Sequence, residues 1–187
     1  MGAKFQIRPT ALLFSFISVA WLSAEPSGRQ SKLSHEDILF RATFDDSVDA
    51  QVFKGNPKAS LDGPVVFEKG KFGKAIVTGE KGVRLTYTVG SHSYEPNLNC
   101  RQGSVSFYFK AVDWEPSEKR SHLFFRISNL ALLRVFTDRN GMLAFETGTD
   151  LHQKNGVRAS LSDKKGGEWI HVLATWGERE IRLYVDG

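Results

Sequence analysis

Three aspartates lie close together in this 187-residue chain and could bind a metal ion. Asp45, Asp46 and Asp49 follow a short apolar stretch, and carboxylates with backbone carbonyls are the oxygen ligands that Ca²⁺ prefers. They do not form an EF-hand loop, because Ala50 and Asn56 stand where that loop needs glycine and glutamate. A calcium site is therefore one interpretation, and capping of a turn by the same acids is the other.

Zinc and nucleophilic catalysis have less support. The five histidines are scattered and there is one cysteine, Cys100, so no zinc-ligand pattern arises. Cys100 has no partner in the chain, which excludes an internal disulfide and predicts an unpaired thiol. His171 is the natural base for a Ser-His-Asp site, but it falls at a strand position and no Gly-x-Ser-x-Gly elbow is present. A structural role for His171 is the alternative.

A third set of residues suits carbohydrate. Aromatic rings can pack on the C–H surfaces of sugars, and arginine forks bind carboxylate or sulfate through two hydrogen bonds. Five of the six candidate residues alternate with core positions along strands. The sixth, Trp114, follows a strand and could instead pack a loop. Ordinary cross-strand pairing on a solvated sheet is the other interpretation of the alternation. The candidate ligand-binding residues are Tyr108, Trp114, Arg126, Arg134, Arg182 and Tyr184.

The elements that must position these residues are strands, because apolar residues recur at every second position. Val105, Phe107 and Phe109, for example, alternate with polar residues and tyrosine. Asn140-Gly141 between two such runs predicts a hairpin with a type I′ turn. Many short strands without a convincing helix predict an all-β antiparallel sandwich or jelly roll. The predicted strands span 38–44, 75–78, 83–89, 103–110, 123–127, 133–135, 143–145, 157–161, 170–176 and 181–185.

The first 24 residues are typical of a signal peptide. Lys4 and Arg8 precede an apolar run, 11–21, that is too short to span a bilayer as a helix. We expect export with cleavage after Ala24, although Leu22 fits the cleavage motif poorly and an uncleaved interfacial anchor is the alternative. Residues 25–36 are then a linker, and 37–187 the folded domain. The formal net charge of +4 falls with the leader and does not indicate a nucleic-acid binder.

The order of several sequence blocks resembles that of a laminin-G-like (LamG) domain of the concanavalin A-like lectin/glucanase superfamily. No single block is specific, but five in succession indicate the fold. They are Leu39-Phe40 through Ala50; Gly70-Lys71-Phe72-Gly73-Lys74-Ala75; Gly103 to Lys110; Glu168 to Val172 with Ala174-Thr175-Trp176; and Ile181 to Gly187.

The resemblance implies two curved antiparallel sheets, one of them concave and open to ligands, in a secreted protein. It also implies a calcium ion at the rim, near Asp45, Asp46 and Asp49. Such domains usually continue with several more strands, the last of which pairs near the first. We therefore expect a C-terminally incomplete domain in which the strand at 38–44 is an unpaired edge, an arrangement that natural sheets avoid.

Glucanases of this superfamily carry alternating carboxylates on one strand, and no predicted strand here has that pattern. The leading hypothesis is a secreted, non-catalytic carbohydrate-binding module, accessory to a glycan-degrading or cell-surface protein. One alternative is a structural or protein-interaction LamG module, and the other is the N-terminal part of a glycoside hydrolase whose catalytic residues lie beyond Gly187. An acidic polysaccharide is the expected ligand if Arg126, Arg134 and Arg182 share the concave face.

Overall fold

A computed structural model of the chain describes residues 3–6, 12–20, 35–79, 82–90, 97–128, 132–148 and 154–187. In these ranges the protein is all-β, with one 3-10 turn at His35–Asp37. No helix among them is long and apolar enough to cross a membrane. The strands are β1 (Ala3–Gln6), β2 (Leu12–Ala20), β3 (Ile38–Ala42), β4 (Val52–Phe53), β5 (Ala59–Asp62), β6 (Phe67–Lys69), β7 (Lys74–Thr78), β8 (Arg84–Gly90), β9 (Gly103–Ala111), β10 (Leu123–Ser128), β11 (Leu132–Thr137), β12 (Met142–Gly148), β13 (Lys154–Ser160), β14 (Trp169–Trp176) and β15 (Ile181–Val185).

The strands form two antiparallel sheets, as in a β-sandwich. Sheet A has the order β13-β12-β11-β10-β1-β8-β5. Sheet B has the order β15-β14-β9-β2-β3-β4, and β7 pairs with β2 and β6. The ten strands expected from alternation are confirmed within a few residues at their ends, whereas β1, β2, β4, β5 and β6 were not predicted.

Apolar residues at alternate positions of both sheets form the core between them. Phe107 and Phe109 on β9 are buried together with Phe125 and Phe145 of sheet A. Buried aromatic side chains contribute about 1.5–3 kcal/mol each. The buried hydroxyl of Tyr87 donates a hydrogen bond to the Val48 carbonyl. Alternation thus determines which side of most strands faces the core, and the opposite side is left for solvent.

The N-terminal segment lies in the middle of sheet B. Strand β2 pairs with β9 on one edge and with β3 and β7 on the other. Strand β3 is therefore flanked by β2 and β4, and the unpaired edge expected for residues 38–44 is not present. The signal peptide at 1–24 stays a prediction, and its cleavage position, Ala24, and most of the expected linker lie outside the described residues.

The hairpin at Asn140-Gly141 is confirmed, but its turn is not type I′. The N–H of Gly141 donates to the Asp138 carbonyl, and that of Asp138 to the Met142 carbonyl. Gly141 has a φ of 75°, whereas Asn140 is not among the residues with positive φ. This is the pattern of a type I turn followed by a left-handed residue. The Asp138 carboxylate, which accepts hydrogen bonds from the Asn140 and Met142 N–H groups, stabilises it.

Candidate functional site

The six candidate ligand-binding residues are divided between the two sheets. Arg126 and Arg134 lie on β10 and β11 of sheet A, whereas Tyr108, Arg182 and Tyr184 lie on β9 and β15 of sheet B. The two outward surfaces are on opposite sides of the core, so the three arginines do not share one face. We call the first surface face A (Arg126, Arg134, Phe136, Glu146) and the second face B (Ser106, Tyr108, Lys110, Trp169, His171, Leu173, Thr175, Arg182, Tyr184).

Trp114 belongs to neither face. Its side chain is 7% exposed and packs on the buried His122, with ring centroids 3.8 Å apart. It also lies parallel to Phe109 of the core. A third ring, that of Phe124, lies 6.4 Å from the indole ring. The structure therefore places Trp114 in the core instead of at an exposed strand exit where it could stack on a sugar.

Face A carries two adjacent arginines, of which Arg134 is paired within the protein and Arg126 has a buried Nε without a hydrogen-bond partner among the described residues. Arg126 and Arg134 are register partners, which brings like charges together. Arg134 donates from Nε and Nη2 to the same Glu146 oxygen, at 2.9 and 2.6 Å. The guanidinium group of Arg134 also lies 4.4 Å from the centre of the Phe136 ring. Arg134 is thus already bound to a carboxylate of the neighbouring strand.

Strict alternation along 123–127 would place Phe124 beside Arg126 on the outward side, but its side chain is fully buried. The register of β10 with β11 shifts between Leu123 and Phe125. A bulge of this kind changes the alternation by one residue. Phe124 and Phe125 therefore both enter the core, where the Phe124 ring lies 4.5 Å from that of Phe109. The expected outward position of Phe124 is wrong.

The centre of face B is aromatic. Tyr108 and His171 are register partners on β9 and β14, and their rings stack with centroids 4.6 Å apart and planes 27° apart. The Phe72 ring, which is 63% exposed, meets Tyr108 edge-on at 5.5 Å. Ser106 Oγ lies 2.8 Å from His171 Nε2. Face B thus combines adjacent ring surfaces with a hydroxyl and an imidazole on the same patch of sheet.

Polar and charged groups surround this centre. Lys110 lies over the Trp169 ring at 5.3 Å. Beyond Leu173 and Thr175, β15 places Tyr184 and Arg182 on the same side of the sheet. Arg182 is exposed and donates to Glu180 from Nε and Nη2, at 3.1 and 2.7 Å. The rim can therefore donate hydrogen bonds, but its arginine, like Arg134, already has a carboxylate partner.

Burial lowers the pKa of His171 below its usual value, although the charge of Asp186 opposes this. The ring is therefore neutral at pH 7, and one hydrogen bond joins its Nε2 to Ser106 Oγ, with the donor set by the tautomer. Asp186 accepts a hydrogen bond from the backbone N–H of His171, at 2.8 Å, and from Lys164. A catalytic triad needs a carboxylate on the imidazole ring, so this arrangement fits binding better than nucleophilic catalysis.

The three aspartates have protein partners. Asp45 Oδ1 accepts the Lys74 N–H at 2.9 Å, and a Cβ at Gly73 would lie 1.9 Å from the same oxygen. Asp49 accepts hydrogen bonds from the Ala59 N–H at 3.0 Å and from Lys58 at 2.7 Å. Asp46 accepts one from Lys74 Nζ at 3.4 Å. Among the described residues, no group of three His, Cys, Asp or Glu side chains could hold a metal ion. These contacts support the turn-capping interpretation, and the calcium site stays a prediction.

The Asp45 contact also positions part of face B. Gly73 has a φ of 57°, which glycine adopts without strain. The missing side chain lets the carboxylate reach the backbone of the turn between β6 and β7. The Gly70 N–H donates to the Gly73 carbonyl across that turn, which carries Phe72 toward Tyr108. The aspartate singled out for metal chemistry thus supports the aromatic edge of face B.

Comparison with known proteins identifies no family. A scan against protein-family models, a search of curated proteins and a search of solved structures each found no match.

Proposed function

We propose that the protein is a non-catalytic carbohydrate-binding module and that face B is its binding surface. The observation that carries the proposal is the stacked pair of Tyr108 and His171, with Phe72 at its edge and Ser106 within hydrogen-bond distance of the imidazole. Sugar recognition needs ring surfaces for C–H groups and nearby polar groups for hydroxyls. Face B offers both on one sheet, and the laminin-G-like resemblance is consistent with this use.

Charge pairing favours a ligand of low charge over an acidic polysaccharide. An anion that binds Arg182 has to compete with Glu180, and Arg134 lies on the opposite sheet with Glu146. Lys110, near the aromatic centre, already lies over Trp169. Because an aromatic pair contributes about 0.5–1.5 kcal/mol beyond its buried area, we expect modest affinity for each sugar unit.

The compartment proposed for this function is outside the cytoplasm. The basic residues and apolar run of 1–24 are the support for export, and glycans suited to such a module occur on cell surfaces. Mass spectrometry of the protein recovered outside the cells tests it. A mature chain that begins at Glu25 is expected, and recovery of intact Met1 only from the cytoplasm contradicts the proposal.

The test of the binding surface compares Tyr108→Ala with Arg134→Ala on a glycan array and then by calorimetry. Tyr108→Ala removes a ring from face B, and we expect binding to weaken about tenfold, equivalent to about 1.4 kcal/mol. Arg134→Ala changes face A and should leave binding unaltered. Equal loss from both variants contradicts the assignment to face B, and absence of binding to any neutral or acidic glycan contradicts the function.

Protein interaction is the second candidate, favoured by a different surface. Apolar side chains are exposed along the segment from β4 to β6, where Phe53 is 46% and Leu61 47% exposed, and Val65, Val66 and Phe67 are exposed as well. Such residues often mark protein-binding surfaces. If this segment binds a protein, the double variant Leu61→Ser with Val66→Ser should no longer capture a cell-surface protein, whereas Tyr108→Ala should still capture it. If Tyr108→Ala loses glycan binding and the double variant keeps it, the result favours face B.

A further inference from the structure

Strand β2 is a central element of sheet B. Seven of its nine residues have register partners on β9, and the register shifts between Phe14 and Ile17. Its other edge pairs first with β7 and then with β3. Backbone N–H and C=O groups of three other strands are therefore satisfied by this one segment.

The sequence of β2 matches the register that it occupies. Phe14, Ile17 and Val19 stand opposite Phe109, Phe107 and Val105, the buried residues of β9. Ser18 stands opposite Ser106, a residue of face B. The position thus selects an extended segment with apolar residues at the places of Phe14, Ile17 and Val19 and a small polar residue at the place of Ser18.

The same residues form the apolar core of the predicted signal peptide. If residues 1–24 are removed on export, β9 loses its partner on one edge, and β3 and β7 lose theirs. Unpaired backbone groups cost about 1–3 kcal/mol each when buried, and open sheet edges accept strands from other chains. The processed protein therefore needs another strand at this position.

We propose that the space between β9 and the β3–β7 edge is a strand-acceptor site. Strand β2 fills it in cis, and in a chain without residues 1–24 it binds an extended segment of another polypeptide. That segment has the β2 pattern of apolar residues and lies antiparallel to both β9 and β3. Main-chain hydrogen bonds provide affinity in such β-augmentation, and alternate side chains provide specificity. The proposal does not depend on the carbohydrate function, because face B is formed by β9, β14 and β15.

The experiment starts from the full chain, with a protease recognition sequence replacing residues 26–31. The folded protein is cut, which leaves β2 held by non-covalent contacts alone. A fluorescent peptide of residues 12–20 with flanking lysines is then added in excess, both directly and during refolding from denaturant. A peptide of the same composition in scrambled order controls for apolar adhesion. We expect one labelled peptide per chain and release of the cleaved N-terminal fragment. The melting temperature should lie above that of the chain freed of the fragment and below that of the uncut protein, because β1 leaves sheet A with the fragment. The scrambled peptide should show at most a tenth of that uptake.

Uptake below a tenth of a peptide per chain by both routes overturns the proposal, as does release of the fragment with no loss of melting temperature before peptide is added. The first result means that no other strand can take the place of β2. The second means that the sheet is stable without a strand there.

A disulfide that holds β2 in place tests where the peptide binds. Ser18 and Arg41 are register partners on β2 and β3, so Ser18→Cys with Arg41→Cys, in a Cys100→Ala background, should form a disulfide across this pair. The oxidised form is expected to exclude the peptide and the reduced form to bind it. Equal uptake by both forms, or failure of the disulfide to form, overturns the proposal. A dimer of the uncut chain in light scattering would assign the position to β2 of a second copy and likewise overturn it.

Discussion

Face A and face B are both outward surfaces of the same sandwich, yet they differ in how their polar groups are used. On face A, Arg134 is held by Glu146 and stacks on Phe136. On face B, Tyr108, His171 and Ser106 interact with each other and remain partly exposed. Arg134, which drew attention in the sequence, is thus already paired, because opposite charges pair across adjacent strands. A binding surface is therefore better identified by partly exposed rings and polar groups than by charges that are already paired within the protein.

The largest expected effect is on the turn that supports face B. Gly73→Ala forces an L-residue into a φ of 57° and directs its Cβ at Asp45 Oδ1, 1.9 Å away. Loss of the charged hydrogen bond to the Lys74 N–H adds to the backbone cost, so we expect about 3 kcal/mol less stability. Gly167→Ala is the matched control, because Gly167 has a φ of 81° with nothing within 4 Å of its Cβ position.

Chemical denaturation of both glycine variants provides the measurement. The control is expected to lose about 1 kcal/mol from the backbone alone. Binding should also fall in Gly73→Ala, because Phe72 shifts away from Tyr108. Equal destabilisation of the two variants would show that the Asp45 contact is unimportant.

A second change should convert face A into an anion-binding surface. Glu146 is 13% exposed and holds Arg134, so Glu146→Gln leaves Arg134 and Arg126 side by side with no carboxylate between strands β11 and β12. We expect a loss of about 1 kcal/mol in stability and later elution from a sulfated resin. The double variant Arg134→Gln with Glu146→Gln should elute like the original protein. Unchanged elution of Glu146→Gln would mean that neutralisation by Glu146 does not limit face A.

Acid should lower the free energy of unfolding by protonating histidines as well as carboxylates. Burial lowers the pKa of His122 and of His171 in the folded chain. As pH falls below the ordinary histidine value of about 6.5, the unfolded chain binds protons first, so the free energy of unfolding decreases between pH 7 and 5. Denaturant titrations at several pH values measure this slope. His171→Gln should reduce it and Arg134→Ala should not; an identical slope in all three proteins would contradict the assignment.

The smallest effect is expected at the rim of face B. Arg182 and Glu180 form an exposed ion pair, and such pairs add little to stability because water and salt screen them. Arg182→Ala should therefore leave the melting temperature unchanged within error and weaken neutral-glycan binding less than Tyr108→Ala does. A selective loss of acidic glycans in Arg182→Ala would instead restore the acidic-ligand hypothesis for face B.

Much of the fold follows from local patterns. The alternation of Val105, Phe107 and Phe109 predicts the β9 strand and its buried side, and the hairpin near Gly141 follows from its turn residues. Tyr108 and His171 could each be placed on an outward side in the same way. Their contact could not, because 62 residues lie between Tyr108 and His171 and the register of their strands depends on the packing of both sheets.

The sequence by itself determined that the protein is all-β and which side of most strands faces the core, since side-chain alternation is a property of each strand alone. Tertiary structure decided which strands share a sheet, and so separated Arg134 from Tyr108. It also decided the bulge that buries Phe124, the return of Trp114 to the core and the place of β2 beside β9. These features arise because segments distant in the sequence fill one core. A strand departs from simple alternation where the departure buries an aromatic ring or pairs an open strand edge.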